Sequence, residues 1–148
     1  VGEWTPEDYR ALGWQVRAGA EGMVLCLDQR LSALVVPLPQ AAEPLRVLDA
    51  SGAHAPVLRL PAGTHGPAAL AFLVDPDGTL VDLSGLHPYL RAVSWPGELC
   101  LPMSNTPDGL CWLRPPRAGQ PWLATAASVV SAVRASLRSP ASPHRGPG

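Results

Sequence analysis

Residues 99–116, LCLPMSNTPDGLCWLRPP, constrain the fold of this chain more than any other stretch, because two short apolar runs flank a dense cluster of turn formers. Leu99, Cys100 and Leu101 run into Pro102. Ser104, Asn105, Thr106, Pro107, Asp108 and Gly109 follow, and residues 110–113 are apolar again up to Pro115 and Pro116. Apolar runs this short, bounded by Pro and Gly, read as strands rather than helices. The simplest expectation is a hairpin, with Gly109 supplying a positive φ where the chain re-enters the sheet.

The rest of the chain repeats that pattern. Residues 14–18 alternate as a strand does, residues 19–22 read as a turn, and residues 23–27 form a continuous apolar run closed by Asp28, the pattern of a strand buried on both faces. Residues 31–38 follow after Asp28, Gln29 and Arg30, and are expected to pair with that run as a second hairpin. Residues 56–60 read as a short strand, residues 68–74 as the most apolar strand of the chain, and residues 90–93 as a weak one.

Three stretches read as helices. Thr5, Pro6, Glu7 and Asp8 make an N-cap, a first-turn proline and two first-turn acids, and Gly13 is expected to end that short helix. A second helix lies within residues 39–50. It is expected to begin near Glu43, because Pro44 is acceptable only in a first turn. Leu45, Val47 and Leu48 give it a core face, and Ser51 and Gly52 end it. A third helix over residues 124–137 places Val129, Val130, Val133 and Leu137 on one stripe, with Arg134 and Arg138 where the helix dipole favours cations. Residues 83–90 read as a short helix or an irregular connection. The expectation is one α+β domain over residues 1–138, a mostly antiparallel sheet with helices packed on one face, followed by a disordered tail at residues 139–148.

Composition narrows the chemistry. All eleven basic residues are Arg, so any mechanism that needs a lysine is excluded. The formal charge is −1 and the arginines are scattered, whereas a protein that neutralises many phosphates shows a basic face. Arg114, Arg117, Arg134, Arg138 and Arg145 tilt the C-terminal third positive, for which solvated surface arginines are the simpler reading. Cys26, Cys100 and Cys111 lie in apolar runs and form no CxxC pair, so they are expected to be reduced core thiols of a cytoplasmic protein. Their spacing against His54, His65, His87 and His144 suggests no metal site. No run reaches the roughly 18 apolar residues of a membrane span, and no charged segment precedes an apolar leader, so no membrane partner is expected.

Residues 74–82, VDPDGTLVD, resemble the opening motif of the haloacid-dehalogenase-like phosphatases, in which Asp75 would be the nucleophile and Asp77 the general acid, with Mg²⁺ between them and phosphate. That family also needs a later lysine, which is absent, and further metal-binding acids, of which only Glu98 and Asp108 follow Asp82. A turn with Pro76 at its second position and Gly78 where φ is positive accounts for the same residues.

A second resemblance covers most of the chain. Residues 13–28, GWQVRAGAEGMVLCLD, resemble the segment of bifunctional primase-polymerase domains in which a strand ending in Gly leads into a strand carrying catalytic acids. In the later segment, LPMSNTPDGLCWLRPP, Pro102, Ser104, Gly109 and Trp112 carry the match. The link from LRLPAGTHG into ALAFLV stands where that family has a Gly-rich stretch, a histidine and an apolar strand, and the valine-rich last helix resembles the end of short actinobacterial members. The resemblance implies a primase-polymerase-like fold, and in active members two Mg²⁺ or Mn²⁺ ions held by an acidic pair and a third acid. This chain has Asp28-Gln29-Arg30 where the family has Asp-x-Asp or Asp-x-Glu, and Ala92 and Val93 near the expected third acid. One acid cannot hold two divalent ions.

What the resemblance implies is therefore a catalytically degenerate domain acting in DNA replication or its regulation. It would need no cofactor unless the site still takes Mg²⁺ or Mn²⁺, and it would bind nucleotide or DNA weakly through Arg17, Asp28, Arg30, His65 and Ser104. The competing expectation is a non-enzymatic interaction domain in which Trp4, Trp14, Trp95, Trp112 or Trp122 anchors a protein partner. Convergence of Asp28, Arg30 and His65 in one cleft would favour the first.

Overall fold

The computed structural model describes residues 5–19, 22–28, 30–52, 55–62, 68–75, 91–93, 97–102, 110–116 and 124–138. Among them the chain forms an α+β fold with three helices and two antiparallel sheets, rather than the expected single sheet with helices on one face, because the apolar strands bury against each other as two layers and Tyr9 of α1 packs on the side of the smaller sheet. The elements are α1 (Pro6–Ala11), β1 (Gln15–Gly19), β2 (Gly22–Cys26), β3 (Ser32–Pro37), α2 (Leu38–Ser51), β4 (Val57–Leu60), β5 (Ala69–Val74), β6 (Arg91–Val93), β7 (Glu98–Cys100), β8 (Cys111–Arg114) and α3 (Ala126–Arg138). The smaller sheet runs β1-β2-β7 and the larger β6-β3-β5-β4-β8.

The larger sheet is the middle layer. Every residue of β3 and β5 is buried, since β5 is six apolar residues and β3 carries four between Ser32 and Pro37. Alternation along β3 sends Leu34 and Val36 to one face and Ala33 and Val35 to the other, and β5 divides likewise into Leu70, Phe72 and Val74 against Ala69, Ala71 and Leu73. The first face packs against α2 and α3 through Ala41, Leu48, Val129, Val130 and Val133. The second packs against the smaller sheet through Met23, Leu25 and Leu99, together with Tyr9 of α1.

Two expected hairpins prove to be crossings between the sheets. After β2, Asp28 and Leu31 exchange one pair of backbone hydrogen bonds, 3.2 and 3.4 Å, and β3 then leaves for the larger sheet, where it pairs with β5 and β6. The hairpin expected within residues 99–116 divides in the same way, β7 pairing with β2 and β8 with β4. Residues 101–110 separate those two strands, too many to impose a register, so each strand pairs where its apolar side is buried. Leu101 and Leu110, at the two ends of that connection, both lie in the core between the sheets. The turn at residues 104–109 lies outside the described residues, as do residues 76–90 and 139–148.

The smaller sheet corrects two further expectations. In and beyond β2, Met23, Leu25 and Leu27 are buried while Val24 and Cys26 are half-buried, so this strand is covered on one face only. Nor are the cysteines core residues: on the smaller sheet Cys26 is half-buried and Cys100 exposed, Cys111 on β8 is exposed, and all three are free thiols. A run of apolar letters conceals the alternation when the outward positions are Val and Cys.

Helix ends follow local chemistry. At α1 the Thr5 hydroxyl accepts the Asp8 N–H and the Asp8 carboxylate accepts the Thr5 N–H, a reciprocal capping box. Gly13, at φ 87°, turns the chain into β1. The second helix begins five residues before the expected start near Glu43, and holds Pro44 inside it. An interior proline forfeits a backbone hydrogen bond at a cost of about 3 kcal/mol. Here Pro44 is buried on the stripe that also carries Ala41 and Leu48, so packing against the sheet offsets the local penalty. Gly52 closes α2 in the left-handed region at φ 79°. A Cβ added there would meet no atom within 4 Å, so the Gly52→Ala variant should lose about 1 kcal/mol from backbone strain alone. Equilibrium urea unfolding measures that loss, and an unchanged midpoint would contradict it.

Candidate functional site

The residues singled out for binding fall into two separate settings. Arg17 stands on the outer face of the smaller sheet, and its partner is Glu98, two strands away. The Arg17 Nη2 lies 2.7 Å from both Glu98 carboxylate oxygens and Nε lies 3.2 Å from Oε2, a multidentate clasp from β1 to β7 over the middle strand. Strand register places it there: Arg17 faces Val24, and Glu98 faces Cys26, on the same side of β2. Glu98, by its hydrogen bonds first and its charge second, raises the pKa of Arg17, with a smaller contribution from the Cys26 thiol. Both side chains are about half exposed, 52% and 43%, so the clasp adds little to stability and is screened by salt. Its consequence is chemical: the guanidinium already holds a carboxylate.

Asp28 and Arg30 lie at the sheet crossing after β2. The Asp28 Oδ1 accepts the Arg30 backbone N–H at 2.8 Å, the side-chain-to-backbone bond of an Asx turn. The strand-end acid thus closes the turn that redirects the chain from one sheet to the other. Arg30 is exposed, and among the described residues its side chain makes no ion pair. His65 and Ser104 lie outside the described residues, as do Gln29, Asp77, Trp4, Trp95 and Trp122. Asp75 continues from β5, where its backbone N–H donates to the Ala124 carbonyl at 2.9 Å and its carbonyl accepts the Ala126 N–H at 2.8 Å, tying the strand end to the start of α3.

Two of the tryptophans belong to an aromatic cluster beneath α1. Tyr9 and Trp14 stack with ring centroids 5.8 Å apart, and Trp112 lies tilted at 6.4 Å from Tyr9 and 6.3 Å from Trp14. The Trp112 indole N–H donates to the Tyr9 hydroxyl at 2.8 Å. Trp14 is 7% exposed, so it is core rather than an anchor for a partner, and Trp112 is half-buried against the same cluster. Burial, more than any neighbouring charge, raises the Tyr9 pKa. The phenol therefore stabilises the fold in its neutral form, fully below pH about 10, and that contribution is lost as alkaline pH ionises it. In Tyr9→Phe the Trp112 N–H is left without its acceptor, at a cost of about 1–3 kcal/mol. Denaturant unfolding near neutral pH measures this, and equal stability of the two proteins would show that the bond contributes nothing.

Residue types alone did not identify Glu98 as the partner of Arg17 or Tyr9 as the partner of Trp112, since the members of each pair are 81 and 103 residues apart. Only strand register and the docking of α1 bring them together. On the far edge of the larger sheet, β8 pairs with β4 alone among the described residues, and carries Leu113, at 40% the exposed large hydrophobic residue of that set. Arg114 at its end bonds Asp49 of α2 at 2.8 Å, which raises the Arg114 pKa and ties the edge strand to the helix layer.

Among the described residues, no cluster of three or more His, Cys, Asp or Glu side chains is placed to hold a metal ion, and no helix is long and apolar enough to cross a membrane. Comparison with known proteins returns no match: no family model, no curated protein and no solved structure corresponds to this chain.

Proposed function

We propose that this chain is a binding domain without nucleotidyl transferase activity, built on a primase-polymerase-like scaffold in which α2 and α3 cover one face of the larger of two antiparallel sheets. One observation carries the reading. At the strand end where the resemblance sets a metal-holding acid pair, Asp28 is engaged in a backbone turn and Arg30 takes the place of the second acid. Two-metal phosphoryl transfer needs both acids to hold the ions that stabilise the attacking and leaving oxygens. An exposed Arg at that corner suits a phosphate instead, and His65, from the resemblance, would join it.

The test is binding of a labelled nucleoside triphosphate and of a short DNA oligonucleotide to the full chain, with and without Mg²⁺ or Mn²⁺, at low and moderate salt. The expected result is weak, metal-independent binding that falls with salt and weakens about tenfold in Arg30→Ala. Primer extension, or metal-dependent binding lost in Asp28→Ala, would overturn the proposal.

A second reading, a protein-interaction domain, is favoured by β8, which among the described residues pairs with β4 alone. A strand edge without a partner among the described residues presents backbone donors and acceptors in register, and Leu113 adds apolar surface beside them. Absence of nucleotide and DNA binding under every condition would leave this reading in place of the first.

A further inference from the structure

We draw no further inference here: the strongest candidate, the edge of β8 that has no strand partner among the described residues, with exposed Cys111 and Leu113, belongs to the protein-interaction reading already given, and nothing in the structure shows what covers it.

Discussion

Phe72→Ala should lose about 3–5 kcal/mol of folding stability, a large share of the roughly 5–15 kcal/mol that a domain of this kind holds. Phe72 is the single phenylalanine of the chain and is fully buried. It stands in the middle of β5 facing α2 and α3, with Leu34, Leu70, Val74 and Val129 in the same cluster. Truncation leaves a cavity under two helices that their attachment to the sheet prevents from collapsing fully, so the transfer loss and the cavity term add. Urea unfolding followed by circular dichroism measures the loss, and Leu113→Ala is the control. Leu113 is exposed on an edge strand, and its truncation should change stability by no more than about 0.5 kcal/mol. A Phe72→Ala variant as stable as that control would mean that the helix layer does not rest on this face.

The second large effect tests the smaller sheet. Leu25→Ala should cost about 2–5 kcal/mol, because Leu25 is fully buried at the centre of the middle strand, between Val16 and Leu99, and points into the core shared with the larger sheet. Val24, its neighbour in sequence, faces the other way and is half-buried. Val24→Ala should therefore cost distinctly less than Leu25→Ala. A strand buried on both faces would make the two losses similar, so the pair of variants separates a one-sided sheet from a two-sided one in a single denaturation series.

Local chemistry was legible wherever it acts over a few residues. Thr5, Pro6 and Asp8 announced the cap of α1, Gly13 and Gly52 marked helix ends that need a positive φ, and the apolar run at residues 68–74 became the fully buried β5. The valine stripe of α3 was legible for the same reason, since Val129, Val130 and Val133 recur at the helical period and meet the sheet on one side. Pro44 shows the limit of such reasoning. Its local preference argues for a later helix start, and burial along α2 outweighed it, a balance set by the sheet beneath and invisible within the helix itself.

The candidate site was less legible than the elements. Arg17, Asp28 and Arg30 were singled out from their positions in a resemblance, yet what each one does depends on its nearest polar neighbour in space. For Arg17 that neighbour is Glu98, far away in the chain, and for Asp28 it is the backbone of Arg30, two residues on. The second contact is of a kind that Asp makes in turns, and it could have been read from Asp28-Gln29-Arg30 standing between two strands. The first could not, because it requires that β1 and β7 flank the same strand.

What this sequence determined by itself was where strands and helices lie along the described chain, and where α1 and α2 stop, because capping, φ preference and hydrophobic period act between near neighbours. Which strands pair was decided by the tertiary structure. The runs around residues 27–31 and 101–110 look like hairpin connections, but they cross between two sheets, since each strand gains more by burying its apolar side against a distant partner than by pairing with its neighbour. The same choice turned the three cysteines outward and set Arg17 against Glu98, because the face a residue occupies in a sheet follows from register, and register here is fixed by long-range burial.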